Sequence, residues 1–430
     1  MGFFVSASGT LASRLLGLVL LVVLSGCRAS YVQHTAKMQT LADEGRFGEA
    51  LAELDTVAQD EALEVDPLLV AADRGGLLHR AGDWEASSRV FVEASRLADE
   101  HEVVRLSEEF TGNIPWRMGA LERQTLHTLN ALNYLQLGRA DEAAVEARLT
   151  SALNLQRHLM QRHDIQLEYH LLAIPIDEEL RPYLVQSVIG LYVSGLAHEV
   201  AGNEESAFID YLAAWRITRS APRGAPSSMT HLEPWLLAQA RRLGRPELEE
   251  LERDIQAPVA PGLGDGAGEL VVVVETGKLP RRCILGRAEE QRVWSACPRP
   301  WVRGQARVEA DGAGWETETV TSLENLLLRR GNVGALLDAT RQPNLWARVG
   351  ALSLFVVVPP LGTYLLFRTS IEHSTQIEQG WLSLPAEFQV ARISLRPGRQ
   401  TVRILRAGTE LTREVDITAR RVQVLVVPMN

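Results

Sequence analysis

Leu78-His79-Arg80-Ala81-Gly82-Asp83-Trp84-Glu85-Ala86 is the stretch on which the reading of the N-terminal half turns. An apolar-periodic helix ends there at a glycine, and a second, alanine-bearing helix starts almost at once. Glycine just past a helix end takes the left-handed conformation with no Cβ clash. An acidic residue near the next helix start complements its macrodipole. The stretch therefore predicts a helical hairpin with Gly82 at its turn. The same order recurs on both sides, at Leu41 to Ala50 around Gly45, Tyr134 to Ala143 around Gly138 and His198 to Ala207 around Gly202. A weaker instance is Arg242 to Leu248 around Gly244. Phe91, Leu149 and Tyr211 are expected to fill the gaps between hairpins.

The glycine, the aromatic after it and the alanine resemble tetratricopeptide repeats. The resemblance implies an N-terminal α-solenoid of tetratricopeptide-like hairpins over residues 27–254, with a concave surface suited to peptides or partner helices. A groove filled by the chain itself is the alternative. The turns are not evenly spaced as in that family, a segment from Leu153 to Leu184 is inserted, and the tryptophan expected early in the first helix is missing. Within the insertion, His158, His163, Asp164, Glu168 and His170 do not share one helical face, so a solvated insert is expected there rather than a metal site.

The first 26 residues read as a lipoprotein signal peptide. Arg14 precedes the apolar run Leu15–Leu24, and Leu24-Ser25-Gly26-Cys27 follows. About ten apolar residues are too few to span a bilayer but suit a signal-peptide core. The arrangement resembles the lipobox of bacterial lipoproteins. That likeness implies a diacylglycerol thioether and an acyl chain such as palmitate on Cys27, and more than one chain gives stable anchoring. Arg28, where an aspartate would signal inner-membrane retention in some bacteria, implies the outer membrane facing the periplasm. A net charge of −10 argues against nucleic acid as a partner.

Residues 255–268 read as a Pro/Gly linker. Its glycines precede a strand rather than follow one, so they do not form a phosphate loop. Residues 269–430 read as a strand-rich domain, which makes the chain an α+β multidomain protein. Strands are expected at Glu269–Glu275, Arg292–Ala296, Ala306–Ala310 and Trp315–Val320. Four more, Phe388–Leu395, Thr401–Leu405, Leu411–Ile417 and Val422–Val427, suggest a meander in an antiparallel sheet or sandwich. A helical apolar insert is expected at about 321–372. It comprises an amphipathic helix over Leu323–Thr340 and the uncharged Val349–Phe367, which Pro359-Pro360 breaks. Burial in the domain, contact with lipid and a true span are its three readings. Cys283 and Cys297 form a candidate disulfide in the oxidising compartment the signal implies, and two separately buried thiols are the alternative.

Four blocks carry a further resemblance: Glu122–Arg148, Ser194–Tyr211, Gly268–Glu275 and Trp381–Arg392 with Pro397-Gly398 after it. In order, they resemble a family of uncharacterised bacterial envelope lipoproteins that pair repeat-type helices with a C-terminal β-rich part. The family has no agreed activity, and the resemblance implies an envelope location and a non-catalytic assembly role. The chain departs from the family pattern around Pro359-Pro360. No nucleophile elbow, zinc-protease helix or phosphate loop occurs, so no catalytic residue, metal or cofactor is expected. The leading expectation is a lipid-anchored scaffold or adaptor that binds another envelope protein through its helical groove. A lipid- or glycan-binding module acting through the C-terminal domain and an accessory activator of cell-wall synthesis are the alternatives.

Overall fold

A computed structural model describes residues 31–63, 65–102, 116, 118–151, 187–221, 225–256, 266–285, 293–328 and 380–429. Cys27, the His158–His170 segment, most of the Pro/Gly linker and Val349–Phe367 lie outside the described residues.

Helices occupy the N-terminal part and sheets the C-terminal part. The helices are α1 Tyr31–His34, α2 Ala36–Asp43, α3 Phe47–Gln59, α4 Pro67–Ala81, α5 Trp84–Glu102 and α6 Ala120–Gln136. A helix over 140–151 is α7. It is followed by α8 Val188–Val200, α9 Glu204–Arg219, α10 Glu233–Leu243 and α11 Leu248–Asp254.

The helices pair across short glycine turns, at which Gly45, Gly82, Gly138, Gly202 and Gly244 have φ of 76°, 82°, 70°, 79° and 62°. Each turn closes with the same two bonds. At Gly82 the glycine N–H donates to His79 O and the Asp83 N–H to Leu78 O, both at 3.0 Å. At Gly202 the acceptors are Glu199 O and His198 O. These bonds satisfy the last carbonyls of the first helix. Asp83 then starts α5 by accepting from Ala86 N at 3.1 Å. Elsewhere Asp66 caps α4 through Leu68 N, with Pro67 at the first helical position, where no N–H is needed.

The strands are β1 Gly268–Thr276, β2 Arg281–Leu285, β3 Val293–Cys297, β4 Arg307–Ala310, β5 Ala313–Glu316, β6 Glu318–Ser322, β7 Glu387–Leu395, β8 Gly398–Arg406, β9 Thr409–Ile417 and β10 Val422–Met429. They form an inner sheet of order β10-β1-β7-β6, an outer sheet of order β5-β4-β8-β9 and the hairpin β2-β3. A six-residue helix over 323–328, α12, follows β6.

The closing strands are not a meander, and the inner sheet is not wholly antiparallel. β7 and β10 belong to the inner sheet and β8 and β9 to the outer one, and β10 runs parallel to β1. Burial explains the split. Val424-Leu425-Val426-Val427 is apolar at consecutive positions, which suits a strand covered on both faces. β9 is mostly exposed and polar, which suits an outer edge. The expected strand Trp315–Val320 is likewise two strands, because the chain changes sheets at Thr317, whose N–H donates to Ala306 O.

β1 shows how the layers stack. Leu270, Val272 and Val274 join Ala391, Ile393, Leu425, Val308 and Ile404 between the two sheets. Val271 and Val273 face the other way and share a cluster with Phe388, Val390, Val426 and the helices, including Leu132, Val193 and Leu196. The helical and strand-rich parts thus share one continuous core. The first helices of the hairpins (α4, α6 and α8) lie against the inner sheet. Gln136 of α6 donates to Val424 O and the Ile189 N–H of α8 donates to Thr321 Oγ1. The second helices, α5, α7 and α9, form the outside, where Val92, Val145 and Ile209 are exposed. Phe91 and Tyr211 are buried as expected, but Leu149, expected between hairpins, is on this outer face and exposed too.

One close approach sets the α8–α9 spacing. A Cβ on Gly195 would stand 2.6–2.8 Å from the ring of Tyr211, which is fully buried. Gly195→Val is expected to cost about 1–3 kcal/mol or more by overpacking. A thermal melt checks this, and an unchanged midpoint would contradict the packing described.

Candidate functional site

The side chains that hold the sheet against the helices follow from the period of two in β1 and β7. Positions 269, 271, 273 and 275 of β1 and 388, 390 and 392 of β7 share the helix-facing side. Apolar residues fill the middle of this set, while Glu269, Glu275 and Arg392 carry charge into the seam.

Arg392 is 6% exposed and makes a bidentate pair with Glu199 of α8, at 3.0 and 2.6 Å. Its Nε donates to Glu269 at 2.7 Å. Glu199 also accepts from Tyr211 Oη at 2.9 Å and Trp235 Nε1 at 2.8 Å. Burial opposes the Arg392 charge, but the two carboxylates outweigh it and hold its pKa well above the usual value.

His79 of α4 forms a second clamp, buried with Glu275. Its Nε2 lies 2.8 Å from Glu275 Oε1 and its Nδ1 lies 2.6 Å from Asn133 Oδ1. Asn133 in turn donates to Ser87 Oγ at 2.9 Å. Both ring nitrogens thus face an oxygen, which fixes the imidazole at both ends between α6 and β1.

The third clamp is Asp73 of α4, which is fully buried. One oxygen accepts from Tyr31 Oη at 2.7 Å, and the other accepts from Leu382 N and Ser383 N at 2.9 and 2.8 Å. Burial pushes the Asp73 carboxyl up to about 6, against the pull of these bonds. Gly76 leaves room for Ser383, whose Oγ would lie 2.2 Å from a Cβ there. A fourth contact is Glu318 of β6, which accepts from Ser228 Oγ, Thr230 N and His231 N. Burial would raise the Glu318 carboxyl, but His231, Thr230 and Ser228 outweigh it and hold it at about 2.

Beside this seam, an open cavity of about 410 Å³ lies where β6, β7 and α12 meet the 303–305 stretch. Glu324, Glu387, Gln389 and Arg303 line it. Glu324 accepts from Arg303 Nη2 at 2.7 Å and Trp301 Nε1 at 3.1 Å. Gln389 is committed to Ala306 N and Gly304 O, both at 3.0 Å. Burial raises the Glu387 carboxyl and the Glu324 charge adds to the rise, while Gln389, Arg406 and Ser322 oppose it. The guanidinium carbons of Arg303 and Arg406 stand 5.3 and 5.5 Å from the Trp301 ring centroid. The cavity can offer hydrogen bonds to a small polar or polyhydroxylated molecule that displaces Arg303 from Glu324.

No family model, curated protein or solved structure matches the chain.

Cys297 is disulfide-bonded, and Cys283 lies on the paired strand β2, opposite Ser295. The five turn glycines lie in separate hairpins and do not converge on a site. Among the described residues, no group of three or more His, Cys, Asp or Glu could hold a metal ion. None of the described helices is long and apolar enough to cross a membrane. Sequence reasoning did not single out Asp73, Arg392, Glu199 or the cavity residues. A signal existed for some of them. The blocks Glu122–Arg148, Ser194–Tyr211, Gly268–Glu275 and Trp381–Arg392 contain Asn133, Glu199, Glu275, Ser383 and Arg392, and they are the elements that meet at the seam.

Proposed function

We propose that the chain is a lipid-anchored adaptor of the bacterial cell envelope, held through Cys27 at the periplasmic face of the outer membrane and non-catalytic. Its helices would be a tetratricopeptide-like array that uses its inner face on its own sheet. Partner proteins would then meet the outer helices rather than the groove expected from the sequence. The observation that carries this reading is where apolar surface lies. The inner sheet covers α4, α6 and α8, while Val92, Val145, Leu149 and Ile209 are 43–53% exposed along α5, α7 and α9. The charged groups of the seam support a non-catalytic role, since Glu199, Glu269 and Arg392 are spent on one another.

Photo-crosslinking in cells tests this. A photoreactive residue at Val145 or Ile209 is expected to give the same discrete envelope-protein adduct, and one at Thr412 on β9 is not. The adduct should disappear when Cys27→Ser removes the anchor. Adducts that do not depend on position would contradict the proposal.

The cavity favours a second reading, a glycan-binding module acting through the C-terminal part. Isothermal titration with soluble peptidoglycan fragments separates the two. Binding that Glu324→Gln weakens at least several-fold would favour the glycan reading, and no heat of binding would count against it.

A further inference from the structure

The start of the described chain lies close, in sequence, to the proposed lipid. Tyr31 is four residues after Cys27, so the two Cα atoms can be at most about 14 Å apart however residues 28–30 run. Tyr31 is not a loose leader residue. Its ring is buried in the main core, its hydroxyl donates to Asp73, and its carbonyl accepts from Thr35 N at 2.9 Å. The body of the protein therefore begins within about two Debye lengths of whatever holds Cys27.

The helices that begin there suit such a position. Met38, Leu41 and Ala42 of α2 turn inward, and Ala36, Lys37 and Thr40 are exposed. Residues 28–42 contain no Asp or Glu, in a chain that carries 54 of them. The first carboxylate, Asp43, is paired with Arg299 and Lys278, and Lys37 is paired with Glu53. This face is close to neutral on a protein of net charge −10, so anionic headgroups do not repel it.

We infer that the exposed face of α1 and α2 is a membrane-facing surface, apposed to the phospholipid headgroups of the leaflet that holds Cys27. The inference rests on the anchoring reading and adds an orientation to it. With Tyr31 locked to Asp73, the short tether restricts the pivoting that a long linker would permit. The outer sheet lies on the far side of the inner sheet from α4, α6 and α8, and its strand β9 supplies a reference position remote in the fold.

The test uses the full-length lipidated protein in vesicles of phosphatidylethanolamine and phosphatidylglycerol that include a lipid with a nitroxide headgroup. A fluorophore is attached at Lys37→Cys, at Thr40→Cys, or at Thr412→Cys on β9. The mass of the N-terminal peptide is measured first. Acylated Cys27 with quenching several-fold stronger at positions 37 and 40 than at 412 is the expected result. Acylated Cys27 with equal quenching at all three overturns the orientation alone. An unmodified Cys27 overturns the anchoring reading and the orientation with it. Two label sites on the face guard against one substitution disturbing the fold.

Discussion

Arg392→Met is expected to destabilise the folded chain by about 3–5 kcal/mol, because it leaves Glu199 and Glu269 buried without their cation. The two carboxylates are 10% and 16% exposed, so water does little to replace the guanidinium. Methionine keeps much of the length and apolar stem of arginine, which separates the charge effect from a packing effect. Glu199→Gln should cost less, since Arg392 keeps Glu269 and the amide retains one acceptor for Tyr211 or Trp235. Urea unfolding of the Cys27→Ser form followed by tryptophan fluorescence checks both. Equal costs for the two variants would contradict the clamp as described.

Asp73 carries the second large effect, and it depends on pH. Its folded-state pKa is about 6 against an ordinary 3.8, so the folded state holds the proton more tightly than the unfolded one. Folding is therefore favoured by this group at low pH, and that contribution is lost as pH rises from about 4 through 6. The two-unit difference corresponds to about 3 kcal/mol. Asp73→Asn keeps an acceptor for Leu382 N and Ser383 N and does not titrate. Between pH 4 and 7 the parent protein should lose about 2 kcal/mol of stability relative to this variant, most of the full effect. Parallel stability–pH curves for the two proteins would contradict the burial of Asp73.

The helical part was the more legible half of the fold, for a local reason. A glycine after a helix and a capping residue behind it act within a few residues, and Gly82-Asp83 closes its turn with bonds that reach back only to Leu78 and His79. The strand pairing was less legible because it depends on partners far along the chain. Nothing near Val422 announces that it pairs with Glu269, on the parallel neighbour β1. The apolar run Val424–Val427 marks β10 as covered on both faces, but it does not say which strand lies beside it, and β10 is in fact the edge of its sheet. The clamps were harder still. Glu199 reads as an ordinary helix-end carboxylate until Arg392 arrives from 193 positions away. Asp73 is one acid among many in the helical half. Its burial follows from Tyr31 and the Trp381–Ser383 stretch, which no local pattern brings together. The cavity beside Glu387 combines four separated stretches, around 226, 303–305, 319–328 and 387–389, and has no motif of its own.

The inner sheet fills the inner face of the helices and makes one body of the two halves. A protease site placed in the Pro/Gly-rich stretch 257–265 tests it most directly. After cleavage the N-terminal and C-terminal pieces are expected to elute together in gel filtration and to unfold in one transition. Two folded pieces that separate without denaturant would contradict it.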